Sequence, residues 1–434
     1  MSSRTVDVDV DADTERAYSS LFGVEFDWKR NRNAYAPGLD DVFCSGKYIL
    51  GERCKALERD LEAYVTSPSS AQSTPALATP TTPTTPTTTC VTVSNGTDAL
   101  ELLLRAEHIG AGDEVIVPAL TFLASATPVL HVGARPVFAD VDPVTLTIDA
   151  DDVRRRYRQG VTRAVVVVSL FGRVSPALAE LYAWATRVGI VVIEDGAQSM
   201  GATAADGSRS CSCTHSHHAF TSFFPTKPLG CFGDGGAVFT RQPGVARLLP
   251  ALRHHGIDSV DSATVLGRNA RLDEIQASLL ACKLVMFPDA VSVRRARAAS
   301  LCRRLAHLAP RVSVPDQCGG GDHGVFGVFC LLCESVDMAA AMCAQLRGQD
   351  IASKCYYTRC LCEYAVFDRH SGDDDDDGTV PAQTCDHTAT RNVIGRLLAL
   401  PMHAYLVEDD CEKIATAVQS ALSAYDVQHL AYSS

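Results

Sequence analysis

The sequence predicts an α/β protein: a large lobe on a mainly parallel sheet with helices on both faces, followed by a smaller α+β lobe. Three observations lead there. Short β-branched runs alternate with helical stretches through the first half of the chain. One such run, Ile190 to Ile193, ends in paired carboxylates, Glu194-Asp195, as a strand buried on both faces and opening onto a site would. A long helical pattern, Leu272 to Leu284, then precedes a second, shorter set of strand and helix signals.

The elements follow in order. Val91 to Val93 is a strand that turns at Asn95-Gly96 into a helix over Ala99 to Ala106, with Thr97 or Asp98 as its cap. Val115 to Val117, Pro136 to Ala139, Ala164 to Val168 and Ile190 to Ile193 read as further strands, and Ala177 to Val188 as a helix between them. Ala219 to Phe224 is another apolar strand, delivering Lys227 into a loop of Pro and Gly. After the Leu272 helix the chain should cross to the small lobe near Met286. Phe326 to Leu332, Asp337 to Arg347 and Cys411 to Tyr425 supply its strand and helices. The division is a tail over 1–20, a large domain over 21–285 and a small domain over 286–434.

Composition narrows the function classes. The chain has 434 residues, enough for one large two-lobed enzyme, and 46% of them are hydrophobic. Net charge is −12, without a basic stripe, which argues against nucleic acid as a partner. No uninterrupted apolar run approaches ~20 residues, so no membrane span is expected. Seventeen cysteines without a signal-peptide core suggest reduced thiols and a cytoplasmic protein. Residues 66–89, rich in Thr, Pro, Ser and Ala, read as a disordered insertion, and the acidic stretch at 371–380 as a solvated loop.

Three segments carry chemistry. Lysines are ordinarily solvated surface charges, and Lys227 could be one; presented beside close-approach glycines it suggests a Schiff-base lysine instead. Asp195 lies where a carboxylate could hold a protonated ring nitrogen. Gln198, three residues on, could donate to a ring hydroxyl. The turn at Gly96 and Thr97 opens a helix N-terminus, which favours anions, with the Ser222 hydroxyl as a further donor. A lysine, a ring-nitrogen partner and phosphate donors are what pyridoxal phosphate asks of a protein. Cys211-Ser212-Cys213 with His215, His217 and His218 is a weaker signal. Its C-x-C spacing has no answering C-x₂-C pair, and no metal site is expected. Gly230 to Gly236 lacks the order and following helix of a dinucleotide loop.

Ser94 to Leu100, Val117 to Phe122, Glu194 to Ser199, Ser222 to Lys227 and Gly267 to Gln276 stand in the order found in the DegT-like sugar aminotransferases. The resemblance runs from about Phe26 to Leu422. It implies pyridoxal-phosphate fold type I, of the aspartate aminotransferase kind, and amination of a nucleotide-linked keto-sugar with glutamate as donor. It implies Lys227 as the Schiff-base and proton-transfer lysine, Asp195 at the ring nitrogen and Gln198 at the ring hydroxyl. Phe122 would stack on the ring, and Gly96, Thr97 and Ser222 would hold the phosphate. Asn269 would reach the cofactor of a neighbouring subunit, implying a homodimer with shared sites. Arg271 would meet a substrate carboxylate, or else form a structural ion pair with Asp273 or Glu274. The run Ser222 to Gly236 and the nearby Arg209-Ser210-Cys211 resemble the branch that aminates UDP-2-acetamido-2-deoxy-3-oxo-glucuronic acid; a 4-keto-6-deoxy sugar nucleotide is the alternative substrate. Where the family often has His-Tyr-Pro this chain has Tyr356-Tyr357-Thr358, which keeps Tyr357 as a substrate contact and loses the imidazole. Two other classes stand beside the aminotransferase: a dehydratase using pyridoxamine phosphate, whose members generally carry His at the lysine, and a non-catalytic binding homologue.

Overall fold

The computed structural model describes residues 17–67, 88–259, 262–318, 323–368 and 386–430. A seven-stranded sheet organises the large lobe. Its strands are β1 (Thr89–Val93), β2 (Glu114–Pro118), β3 (Arg135–Ala139), β4 (Thr162–Val168), β5 (Val191–Asp195), β6 (His218–Ser222) and β7 (Gly236–Thr240), in spatial order β1-β7-β6-β5-β4-β2-β3. β2 through β6 pair in parallel, and only β7 runs the other way, antiparallel to both β1 and β6. The residues explain why the sheet is covered on both sides. Ala164, Val166 and Val168 of β4 join Val115 and Val117 of β2 in one core. The alternate residues Val165, Val167 and Ile116 join Leu178 and Leu181 of helix Ala177–Val188 in another. Each buried valine, isoleucine or leucine among them stabilises by roughly 1.5–3 kcal/mol. Because β1, β2, β5 and β6 point the same way, their carboxyl ends collect at one edge.

The small lobe holds a four-stranded antiparallel sheet in the order Val312–Ser313, Phe329–Cys333, Leu397–Leu400, Lys354–Tyr356. The strand expected at 326–332 begins three residues later, after Phe326, which adopts a positive φ of 49°. The expected helices extend to Val336–Gly348 and Glu408–Leu430.

Several expectations need correction. Helix Glu274–Leu305 runs through the boundary placed at 285–286, so no break in secondary structure separates the lobes there. Its Leu280 and Leu284 pack in a large-lobe core, while Ala298 and Leu301 pack in the core shared with Leu331 of the small lobe. Extended to Leu308, this helix is long and apolar enough to cross a membrane by length and composition. The length arises from serving both lobes. Residues 17–20 are not a loose tail: Ala17 is buried in the 3₁₀ turn Ala17–Ser19, and its carbonyl accepts from His403 Nε2 at 3.0 Å. Helix Gly96–Ala106 is capped by Asn95, whose side chain accepts the Asp98 N–H at 2.8 Å, because Thr97 and Asp98 already lie within the first turn. Of the segment expected to be disordered at 66–89, Thr66 closes helix Glu52–Thr66 and Thr89 opens β1. Residues 68–87, and the acidic stretch at 371–380, lie outside the described residues.

Candidate active site

Asp195 is the last residue of β5 and is buried. One carboxylate oxygen accepts Ser125 Oγ at 2.7 Å and the other accepts the Ala197 N–H at 3.0 Å. Burial raises its pKa; the Ser125 and Ala197 bonds and the nearby Lys227 charge oppose that rise. Glu194, one residue earlier, projects to the opposite face of the strand. There Ser210 Oγ and the Cys211 N–H donate to it at 2.7 and 3.0 Å, and burial pushes its pKa up to about 7. The two adjacent carboxylates therefore have different surroundings, and only Asp195 faces the lysine.

Gln198 is held in one orientation. Its carbonyl oxygen accepts the Phe171 N–H at 2.6 Å, where Phe171 adopts a positive φ of 63°. The amide NH₂ is thereby left to donate, and the Tyr357 hydroxyl is one of its partners. Tyr357 lies within electrostatic reach of Asp195, and burial raises its pKa. The sequence signals for Asp195, Gln198 and Tyr357 thus converge on one place.

The other corner is built by close approach. Val93 and Ser222 both stand opposite Gly236 of β7. A Cβ on Gly236 would fall 2.6 Å from the Asn95 carbonyl carbon, so only glycine lets the 95–97 turn sit there. Gly96 in turn lies against Ser222: a Cβ on it would come within 3.0 Å of Ser222 Cβ. The amides of Gly96 and Thr97 at the helix N-terminus and the Ser222 hydroxyl form one polar corner.

Lys227 sits in the turn after β6, its N–H bonded to the Phe224 carbonyl at 2.8 Å. Burial lowers its pKa and the Asp195 charge partly restores it. A lowered pKa increases the fraction of free amine, the nucleophilic form. Phe122, just before the 3₁₀ turn that carries Ser125, is 59% exposed as a residue. Lys227 also borders a cavity of about 240 Å³ that contains the Asp27–Lys283 ion pair, Tyr35 and Tyr405. None of Asp195, Gln198, Gly96, Ser222 or Phe122 lines that cavity, so it lies behind the lysine turn.

Asn269 is exposed and its backbone bridges to His254. Arg271 places Nη1 3.0 Å from His254 Nδ1, and its Nε is buried without a hydrogen-bond partner. The alternative ion pair is absent among the described residues. Asp273 caps helix Glu274–Leu305 through the Gln276 N–H, and Glu274 accepts the N–H groups of Gly51, Arg53 and Cys54. The Cys211 segment points to separate partners: His215 to Asp206, His217 to the Val192 N–H, and His218 to Thr240 and Glu107.

Ser125 and Phe171 were missed in the sequence. Neither serine nor a backbone amide has a local signature for reaching a partner 70 or 27 positions away.

The donor set fits pyridoxal phosphate: a buried carboxylate, a fixed amide donor, a polar corner at a helix N-terminus and a desolvated lysine. Comparison with known proteins agrees. Residues 84–419 match the DegT/DnrJ/EryC1/StrS aminotransferase family. The chain is 38% identical over 262 residues to UDP-2-acetamido-2-deoxy-3-oxo-D-glucuronate aminotransferase of Pseudomonas aeruginosa. That match covers 60% of this chain and 66% of the relative, just under two thirds of its length. It is 32% identical over 400 residues to UDP-N-acetyl-3-dehydro-alpha-D-glucosamine 3-aminotransferase of Acidithiobacillus ferrooxidans, covering 90% of this chain and 94% of the relative. The crystal structure of a DegT DnrJ EryC1 StrS aminotransferase from Brucella abortus superposes with a TM-score of 0.77 at 29% identity, over 92% of this chain and 98% of that one.

Proposed function

The chain belongs to the DegT/DnrJ/EryC1/StrS aminotransferase family, whose cofactor is pyridoxal phosphate, and from that premise we propose that it moves an amino group from glutamate to a nucleotide-linked 3-keto sugar. The carrying observation is the convergence of Asp195, Gln198 and Tyr357 on the edge that Lys227 faces. The substrate reading is UDP-2-acetamido-2-deoxy-3-oxo-glucuronate or a close relative. Two relatives whose names carry a UDP-linked 3-oxo or 3-dehydro sugar support it, as does Arg271, whose buried Nε has a donor to spare.

When bound, pyridoxal phosphate supplies an electron sink that lets a proton leave the reacting carbon. The residues of this chain do the rest. Asp195, whose ionised form the Ser125 and Ala197 bonds favour against burial, would accept from the ring nitrogen. Gln198, turned by Phe171, donates to the ring hydroxyl. The Gly96 and Thr97 amides and Ser222 Oγ bind the phosphate, and Phe122 covers a ring face. Lys227 Nζ would be the amine that holds the cofactor and the base that would hold or move the proton. Arg271 orients the uronate carboxylate and Tyr357 contacts the sugar. The exposure of Phe122 and Asn269 in a single chain supports a homodimer that completes each site, with Asn269 serving the partner's phosphate.

The test is the visible absorption spectrum of the purified chain with pyridoxal phosphate, before and after glutamate, followed by mass analysis of the sugar product. A band that bleaches with glutamate and a sugar carrying a new amine support the reading. A sugar that loses water without gaining nitrogen would point to the dehydratase class, and absence of any band to a non-catalytic homologue. Amination of a 4-keto-6-deoxy sugar nucleotide in preference to the 3-keto uronate would overturn the substrate.

A further inference from the structure

Cys360, Cys362 and His387 meet where the small lobe touches the outer strands of the large sheet. Their ligand atoms all lie within 4.8 Å of one another. Cys360 Sγ and Cys362 Sγ are 3.0 Å apart, and Cys362 Sγ is 3.5 Å from His387 Nδ1. Neither cysteine is in a disulfide. Cys360 and His387 are buried and Cys362 is partly exposed, which leaves a way in.

The imidazole decides what this cluster can do. His387 Nε2 lies 2.9 Å from the Phe138 carbonyl oxygen, which can only accept. Nε2 therefore carries a proton, and in the neutral ring the Nδ1 lone pair faces the thiols. A ligating histidine is ordinarily fixed by such an outer carbonyl. The cysteines are braced as well: Leu361 between them donates its N–H to the Ala119 carbonyl at 3.0 Å. On the other side, the amides of Ala389 and Thr390 donate to Asp140, both at 2.8 Å, fixing the chain just after His387. In tetrahedral zinc, bond lengths of ~2.3 Å to sulfur and ~2.0 Å to nitrogen put ligand atoms roughly 3.5–3.8 Å apart. The Cys362–His387 separation of 3.5 Å matches that range and the 3.0 Å between the two sulfurs falls short of it, so an ion could enter if the two thiols part by side-chain rotation.

We propose that Cys360 Sγ, Cys362 Sγ and His387 Nδ1 bind a borderline-soft divalent cation of the zinc class, with a fourth position for water. Two thiolates and an imidazole select such an ion over magnesium or calcium. Binding replaces two S–H bonds with two metal–sulfur bonds and releases two protons to solvent. The ion touches no reacting atom. It ties the segment carrying Tyr357, three residues before Cys360, to the segment of His387, which is itself held to Phe138 and Asp140 at the end of β3. Its role is to position the Tyr357 wall of the active site against the large lobe.

The experiment uses the full chain, stripped with a chelator under reductant and titrated with Zn²⁺ alone, and separately with Co²⁺ alone. The expected result is one equivalent of Zn²⁺ bound, and a thiolate-to-cobalt absorption band. Cys362→Ser should weaken Zn²⁺ binding by more than about tenfold and remove the band. His387→Ala should do the same, and His387→Cys should restore binding. Far-ultraviolet circular dichroism and pyridoxal phosphate binding identify variants that remain folded. The proposal is overturned by substoichiometric binding to the stripped chain, by unchanged affinity in Cys362→Ser, or by failure of His387→Cys to bind while folded.

Discussion

Ser125 Oγ donates to Asp195 Oδ2 at 2.7 Å, joining the turn after β2 to the end of β5 across the sheet. This bond works against the rise that burial imposes on the Asp195 pKa. Ser125→Ala should therefore shift ionisation of Asp195 upward and weaken cofactor binding. The expected loss of pyridoxal phosphate affinity is roughly tenfold, for one hydrogen bond to a charged group. The pH below which the cofactor no longer binds should also rise, because the carboxylate protonates sooner. Cofactor titration by absorbance between pH 5 and 8 checks both; an unchanged pH profile would show that Ser125 does not govern Asp195.

Lys227→Ala should abolish amino transfer. Loss of a positioned proton-transfer group alone costs about 10²–10⁴-fold, and here the covalent anchor goes as well. Turnover of the sugar at the wild-type rate, measured by product mass, would sink the assignment.

Arg271→Gln should raise KM for a uronate sugar by about ten- to a hundredfold, the cost of losing a charge-assisted hydrogen bond. A matched substrate with a neutral C6 should be little affected. Equal losses on both substrates would mean that Arg271 acts only on the surrounding loop.

Asp140 accepts the amides of Ala389, Thr390 and Val141 and the Thr390 hydroxyl. Burial opposes its ionisation, but these bonds win and hold the carboxyl below its usual pKa. Its stabilisation is therefore complete above the unfolded value near ~3.9 and is lost as pH falls through the folded value. Asp140→Asn should cost about 1–3 kcal/mol at pH 7 in urea denaturation. The gap from wild type should narrow below pH ~4; a constant gap would contradict the ionised role.

The Ser67 carbonyl accepts from Arg209 Nε at 3.1 Å, and Thr88 Oγ1 donates to the Ser212 carbonyl at 2.7 Å. Both ends of the Thr/Pro-rich stretch thus lean on one turn, 209–212. Replacing residues 68–87 with a short Gly/Ser link should leave thermal stability and amino transfer close to wild type. A large drop in either would show that the stretch takes part in folding or function.

By itself the sequence determined the local chemistry. The unbroken apolar run Ala164 to Val168 names a strand, and the order of the Asn95, Asp195 and Lys227 segments identifies the family. Each is a pattern within a few residues, set by strand periodicity and turn stereochemistry. Only the tertiary structure decided which distant groups complete them. Ser125 reaches Asp195, Phe171 turns Gln198, and Cys360, Cys362 and His387 gather against Phe138 because strand order brings remote segments to a common edge. The helix Glu274–Leu305 likewise passes through the expected domain boundary because both lobes pack on it. Such pairings depend on how the sheet is wound, a global choice that no short stretch of sequence records.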